Sequence, residues 1–421
     1  MKIKLLAVSI VMSVGLLFSF ARGQTGQAPN TCVDCHTMLG APYDSIVTAQ
    51  QSDIHGTNDI NCVDCHGGDP TSMDPDQAMS AQAGFIGKPD HEEITQLCAK
   101  CHSDASYMGD FDPSLPVDQL AKYKTSVHGQ RLAQGDAKVA ECASCHGAHG
   151  IQSVKDPRAA VYPLNVAYTC NKCHGDPEYM AGYNIPTDQF QEYQQSVHGI
   201  AVLENKDLGA PTCNDCHGNH GATPPGVTSI SQVCGTCHAL NQQLFQGSVH
   251  ESVFDMMDMP ECETCHGNHE VKPVSDAMLG TGVRSVCMNC HAEGDEGYET
   301  AARMSAAIDS LSTAYDSAQV MIQTASAKDM PVEDLQFNLR KVRQDLIQTR
   351  TMIHSFELSR VRDEKKTGYQ AAADIIRQAK SLVREYYYRR TGFGIFTLII
   401  TLLAVLLYLK IRQIERKQQR E

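Results

Sequence analysis

Every cysteine of this 421-residue chain belongs to one recurring pattern. The 18 Cys form nine C-x-x-C pairs, and each pair is followed at once by His. The motifs are Cys32/Cys35/His36, Cys62/Cys65/His66, Cys98/Cys101/His102, Cys142/Cys145/His146, Cys170/Cys173/His174, Cys213/Cys216/His217, Cys234/Cys237/His238, Cys262/Cys265/His266 and Cys287/Cys290/His291. A disulfide scaffold places cysteines without regard to the next residue. A zinc ribbon needs C-x-x-C pairs to converge on one ion. Neither explains a His after all nine.

C-x-x-C-H is the attachment signature of c-type haem, in which two thiols form thioethers to the porphyrin and the adjacent His is the proximal iron ligand. The pattern therefore predicts nine covalently bound haem c groups. With no Trp and 6% aromatic residues, the chain is poorly supplied for an ordinary aromatic core. Its formal charge of −14 argues against nucleic acid, whose phosphates reward a basic face.

Nine further histidines remain, namely His55, His91, His128, His149, His198, His220, His250, His269 and His354. One for each iron would make every haem six-coordinate with two imidazoles. Most of the nine recur in repeated contexts. Residues 115–129 (LPVDQLAKYKTSVHG) match 185–199 (IPTDQFQEYQQSVHG) in eight identities. Each copy reads as a short helix, with Asp118 or Asp188 near its start, His128 or His198 in its last turn, and Gly129 or Gly199 just after it. QSDIHG at His55 and QGSVHE at His250 are further copies. Three of the motifs downstream of these His continue as C-H-G-x-H, which supplies His149, His220 and His269.

The repeat unit is thus a distal His, a C-x-x-C-H usually extended by G-x-H, and a second C-x-x-C-H. Four such dihaem repeats run from about residue 52 to 291. The first copy reads C-H-G-G-D, and His91 is expected to replace its missing ligand. A His three residues after a proximal His cannot easily pass to the opposite porphyrin face, so the G-x-H residues are expected to ligate neighbouring haems. The first motif, at His36, stands outside the repeats, and His354 is left over with it; ligands can be shuffled, so their pairing stays open. The 16 Met are an alternative ligand pool. None recurs at a fixed place, and they read as gap-filling residues.

The chain ends point to export and anchoring. Lys2 and Lys4, the apolar run to Phe20 and Ser19-Phe20-Ala21 read as a signal peptide over 1–23, with an uncleaved anchor as the alternative. Phe393–Leu409 is 17 residues without a charge, and a transmembrane helix over 391–410 is expected rather than a buried core helix. Lys410, Arg412, Arg416, Lys417 and Arg420 follow it, which puts the basic tail 411–421 in the cytoplasm and the bulk of the chain on the periplasmic side of a bacterial inner membrane.

Between the motifs and this segment, residues 292–390 turn to helical periodicity. Met304, Ile308, Leu311, Tyr315, Ala318, Ile322 and Ala325 form one seam, and Val332, Leu335, Leu339, Val342, Leu346, Thr349, Ile353 and Phe356 a second. Two antiparallel helices are expected, then a third segment after Gly368 carrying Tyr369, Ala372, Ile376, Ala379 and Val383. His354 lies on the second helix beside a strip of Ile347, Leu358 and Val361, as a ninth distal ligand or a partly buried structural His. Residues 24–291 hold 12 Lys plus Arg against 32 Asp plus Glu, and this acidic body suits basic redox partners or simple solubility. The expected fold is mainly α with much irregular coil: a haem-packed domain over 24–291, an antiparallel helical stalk and one transmembrane helix.

The C-x-x-C-H-G-x-H runs, the S-V-H-G segments and the paired motifs resemble the doubled-C-x-x-C-H multihaem c-type cytochromes, over about residues 32–291. The long C-terminal helices with one late His are loosely similar to those of larger nitrite- and hydroxylamine-handling cytochromes, but the C-x-x-C-K often found in nitrite reductases is absent. The resemblance implies a membrane-anchored cytochrome passing electrons between a membrane quinone-linked complex and periplasmic or outer-membrane electron-transfer proteins. Two alternatives stand beside it. One open-coordination haem would make an oxidoreductase for a small nitrogen or sulfur compound, with His91 and His354 as the weak ligands. Direct quinol oxidation at the membrane is the other, although no quinone motif is present.

Overall fold

The computed structural model describes residues 30–224 and 230–419. The expected signal peptide lies outside them. The protein is mainly helical, with no strand among the described residues. It divides into two compact units, Met1–Phe190 with Asn205–Thr223, and Gln191–Glu204 with Pro224–Glu421.

The first unit is built from short helices: α1 (Thr31–Leu39), α2 (Tyr43–Gln51), α3 (His91–His102), α4 (Gln119–Thr125), α5 (Val127–Ala133) and α6 (Pro163–His174). Single turns at Cys62–His66, Cys142–His146 and Cys213–His217 carry further motifs. Each of these turns is bounded chemically at both ends. Reciprocal capping by Asn61 and Asp64, Glu141 and Ser144, or Thr212 and Asp215 starts it. Gly67, Gly147 or Gly218, at φ 67°, 84° and 81°, ends it in a conformation that side chains rarely adopt. One turn is long enough to set both thiols and the His on one short piece of backbone.

Segment 115–129 departs from the expected single helix. It forms α4 and α5 with extended Ser126 between them, at φ −72° and ψ 160°. Ser126 Oγ accepts the Gly129 N–H at 2.9 Å and caps α5, so His128 lies in a first turn, not a last one. Gly129 is needed at this bend because a Cβ there would collide with the Tyr123 carbonyl. The copy at Ser196 and Gly199 repeats both features.

The second unit holds α7 (Ala239–Gln246), α8 (Val249–Met257), the turn Glu263–His266 and three long helices. These are α9 (Glu296–Ser326), α10 (Glu333–Thr351) and α11 (Leu358–Gln418). α11 packs on both α9 and α10. Met304, Ile308, Leu311, Ala318, Ile322 and Ala325 of α9 meet Leu335, Val342 and Leu346 of α10 and Val361, Ala372, Ile375 and Ala379 of α11 in a continuous core. Each fully buried Leu, Ile or Val contributes about 1.5–3 kcal/mol.

The third segment differs from expectation in its start, while Ala372, Ile376, Ala379 and Val383 join the core as expected and Tyr369 does not. α11 begins at Leu358 and passes straight through Gly368, which is a packing notch, since a Cβ there would lie 2.8 Å from Asp345 Cβ and 3.3 Å from Leu311 Cδ1. Tyr369 faces solvent, as does Ile347 of α10. His354 follows α10, in a 3-10 turn over Met352–Ser355. An 18-residue stretch within α11 has mean hydropathy 2.5 and is wholly unburied, which fits a membrane anchor.

Candidate functional site

The S-x-H-G segments hold their histidines by backbone chemistry that the repeats share. In the copy at His55, Asp53 takes the place of Ser126. Its Oδ1 accepts the Gly56 N–H at 2.7 Å and its Oδ2 the Gly150 N–H at 3.3 Å. In the copy at His250, Ser248 Oγ accepts the N–H of His250 at 3.2 Å. The residue after the cap is tied down in turn. Ile54 N–H donates to the Ile151 carbonyl at 2.7 Å, Val127 to Ala222 at 3.1 Å and Val197 to Val271 at 2.8 Å. Each acceptor lies two residues beyond a G-x-H histidine, so the ligand helix of one repeat is stitched to the G-x-H tail of the next.

Within each unit, imidazoles come together in pairs. The S-x-H histidines meet the second motif of their own repeat: His55 and His102 have ring centroids 5.9 Å apart, His128 and His174 6.1 Å, His198 and His238 6.4 Å, His250 and His291 6.1 Å. The G-x-H histidines meet the first motif of the preceding repeat, with His149 6.0 Å from His66 and His220 6.1 Å from His146. His354 stacks with His266 at 6.0 Å and 22°.

Among the described residues, seven such pairs share a separation of 5.9–6.4 Å, too wide for direct stacking contact. A metal about 2 Å from one nitrogen of each ring puts the two centroids roughly 6 Å apart. Among the described residues no group of three or more His, Cys, Asp or Glu is arranged to hold a metal ion. Two imidazoles leave four positions in the plane between them, and the thiols beside each motif His are placed to hold an organic group that fills that plane. The residues fit haem c.

Burial favours the neutral form in several of these rings, the form that ligates metal. It holds His102, His146, His174 and His266, and the facing His128, His220 and His354, below the usual histidine range. Backbone carbonyls fix the tautomer in places: His66 Nδ1 lies 2.9 Å from Gly87 O and His354 Nδ1 3.0 Å from Thr351 O, which leaves Nε2 for a metal.

The thiols of successive motifs also approach one another. Cys98 hydrogen bonds Cys142, Cys170 bonds Cys213, and Cys234 bonds Cys262. Within each couple one thiol is driven up and the other down, Cys234 to about 7 through Cys262. Burial pushes Cys145 and Cys265 up to about 11, with the thiols of the next motif adding to it. Cys32 is likewise raised by burial and then by Cys62, and Cys65 by burial, with Cys101 a smaller contributor.

The second thiols of motifs five, six and seven have further neighbours of their own. Cys173 is half-buried and hydrogen bonds the Tyr179 hydroxyl. Cys216 is exposed beside its own motif partner Cys213. Cys237 is exposed too, and the Thr236 hydroxyl donates to its Sγ at 3.9 Å. Thioether formation ends the thiol titrations, but the adjacency remains: motifs one to six in the first unit, and seven to nine in the second, neighbour one another in sequence order.

The remaining expected ligands have other described neighbours. His36 meets the ring of Tyr43 edge-on at 5.4 Å, a residue the sequence did not single out. His91 opens α3, with its Nδ1 buried and unpartnered. His217 Nδ1 is 3.4 Å from Thr223 O, and His269 Nδ1 is 3.6 Å from Glu192 Oε2. Sequence reading also passed over the caps Asp53 and Ser248, whose signal was the recurring Asp or Ser two residues before a His.

Comparison with known families settles the class. Residues 255–296 match the doubled CXXCH motif family, and residues 19–67 match the family of cytochrome c554 and c-prime. The chain is a multihaem c-type cytochrome. No curated protein and no solved structure gives a match. As a cytochrome of this class it binds haem covalently through its C-x-x-C-H motifs and transfers electrons to and from redox partners.

Proposed function

We propose that this cytochrome carries nine haem c groups with two histidines on most irons, and that it conducts electrons between a membrane quinone-linked complex and exported redox partners. The observation that carries the reading is the set of seven facing His pairs at one common separation. Each haem supplies a one-electron iron couple. The chain would do the rest: the motif thiols would fix each group, the facing imidazoles would hold its iron from two sides, and the sequence-ordered motifs would keep neighbouring sites close. Closed axial positions favour electron transfer over substrate binding.

α11 supports the anchoring. Its apolar run starts at Phe393, just after Tyr386, Tyr387, Tyr388, Arg389 and Arg390, an interfacial composition. Lys328 Nζ lies 5.3 Å over the rings of both Tyr386 and Tyr387, so the α9–α10 turn meets α11 at that level. At 1.5 Å per residue the helix start beside His354 stands about 50 Å above Phe393. Such a height favours delivery through a quinone-linked partner over direct quinol oxidation at the His354 site. With export, the haem units face the periplasm and the basic tail the cytoplasm.

A second reading concerns the first motif alone. His36 faces Tyr43 and no second imidazole among the described residues. An open position there would suit a small nitrogen or sulfur compound, with Tyr43 as a proton donor.

Low-temperature EPR of the oxidised, detergent-purified protein, with spins integrated against iron per chain, separates the readings. Nine iron atoms, all low-spin and unmoved by nitrite or hydroxylamine, support conduction alone. One high-spin centre in nine that responds to either compound, and that is lost with Cys32 and Cys35, assigns the open site. Fewer than seven low-spin centres refute the paired-histidine reading.

A further inference from the structure

The ring of His291 is held more elaborately than those of the other motif histidines. Asp295, four residues on, is the N-cap of α9: Oδ1 accepts the Tyr298 N–H at 2.6 Å and Oδ2 the Ala292 N–H at 2.8 Å. The same Oδ1 lies 3.3 Å from His291 Nδ1. Gly297, in the first turn of α9, provides the space, because a Cβ there would collide with the His291 ring. The imidazole is therefore nested on the helix start, Nδ1 toward a carboxylate and Nε2 free to ligate. Its facing partner His250 lies in a different setting. Its ring centroid is 3.8 Å from that of Phe356 and 5.9 Å from that of Phe254, and its Nδ1 is buried without a partner.

A carboxylate that accepts the Nδ1–H of a metal-bound imidazole draws the proton toward itself and makes Nε2 a stronger donor. A stronger donor stabilises ferric over ferrous iron, and a nearby full negative charge acts in the same direction. Carbonyl acceptors, such as Gly87 O at His66, polarise the ring less. The positive end of the α9 dipole opposes the effect, but it amounts to about half a charge. Asp295 offsets it with a full one.

We propose that Asp295 is a positioning residue that orients His291 and lowers the reduction potential of the haem held by Cys287, Cys290, His291 and His250. The inference rests on the paired-histidine reading above. It makes one N-cap serve both the first bundle helix and the electronics of the last haem in the sequence.

The test is an EPR-monitored potentiometric titration of the full, haem-loaded chain. The His250 and His291 planes cross at 79°, and near-perpendicular imidazoles give a strongly anisotropic low-spin signal that can be followed by itself. Only His55 and His102, at 81°, are comparably crossed among the described pairs. Loss of one of the two signals in a C287A/C290A variant assigns it. Asp295→Asn keeps an N-cap and a neutral acceptor. The expected result is an unchanged haem count and low-spin signal, with the assigned midpoint raised by about tenfold in the reduced-to-oxidised ratio, about 59 mV for one electron. Asp295→Glu, which restores the charge, should return it part of the way. An intact low-spin signal with an unmoved midpoint in Asp295→Asn overturns the inference and leaves the pairing standing. Wild-type protein with no low-spin signal assignable to Cys287 and Cys290 overturns the pairing, and the inference with it.

Discussion

The imidazoles of His266 and His354 lie 6.0 Å apart and within 22° of parallel, one on a motif turn and the other at the head of the helical bundle. His354 Nδ1 is held by the Thr351 carbonyl at 3.0 Å, so Nε2 is turned to the motif. On the paired-histidine reading, replacing this ring would open the iron that it shares with His266. In His354→Ala, one low-spin haem per chain is expected to become high-spin and to bind carbon monoxide when reduced, with total haem unchanged. An unaltered low-spin count would show that His354 is structural.

The seven pairs also differ in ring angle, and that difference is measurable. His146 and His220 cross at 11°, His66 and His149 at 19°, His266 and His354 at 22°, whereas His55/His102 and His250/His291 cross at 81° and 79°. Near-parallel imidazoles split the iron orbitals rhombically, and near-perpendicular ones leave them almost degenerate. The oxidised protein should show at least three rhombic and two strongly anisotropic low-spin species. A spectrum of one type alone would contradict the angles.

These pairings were not legible in the sequence, although their parts were. C-x-x-C-H followed by Gly specifies a capped turn wherever it occurs, because its causes are local. Which histidine faces which depends on contacts such as Val127 N–H to Ala222 O, between residues far apart in the chain. Glycine misled the reading more than once for one reason. Gly129 and Gly368 looked like helix stops, yet each sits inside a helix where a neighbour, the Tyr123 carbonyl or Asp345 Cβ, leaves no room for a side chain. The seams of α9 and α10, and that of α11 from Ala372 to Val383, were readable because their period is intrinsic; the passage of α11 through Gly368 was not.

Gly368 offers a direct measure of how tightly the bundle is packed. A Cβ 2.8 Å from Asp345 Cβ and 3.3 Å from Leu311 Cδ1 has to push α11 away from both other helices. Gly368→Ala gains helix propensity of about 0.8–1 kcal/mol but meets an overpacking cost of about 1–3 kcal/mol. The net expectation is a lower midpoint for thermal loss of helical circular dichroism. Gly394→Ala, with open space around it, should not lower that midpoint.

The cap at Ser126 links local chemistry to the ligand directly. Its hydroxyl is fully buried, accepts the Gly129 N–H and donates to the Tyr123 carbonyl, so it holds the bend that presents His128. Ser126→Ala should cost about 1 kcal/mol as a lost cap, with the His128 haem still low-spin. Gly129→Ala should do more, because its Cβ runs into the carbonyl that Ser126 engages. Resonance Raman spin-state bands would then report one haem changing from low to high spin, and equal behaviour of the two variants would contradict this account of the bend.

Anchoring can be separated from haem assembly because the bundle core ends before the apolar run begins. Its buried residues on α11 stop at Ala379 and its partly buried ones at Tyr386, while Phe393 onward is exposed. A chain ended after Arg390 keeps every described packing contact of the bundle core and loses only the unburied stretch. It is expected in the soluble exported fraction with its haem-to-protein ratio unchanged. Retention in washed membranes would mean that a surface other than α11 holds the protein there, and the turn at Lys328 beside Tyr386 and Tyr387 would be the first place to look.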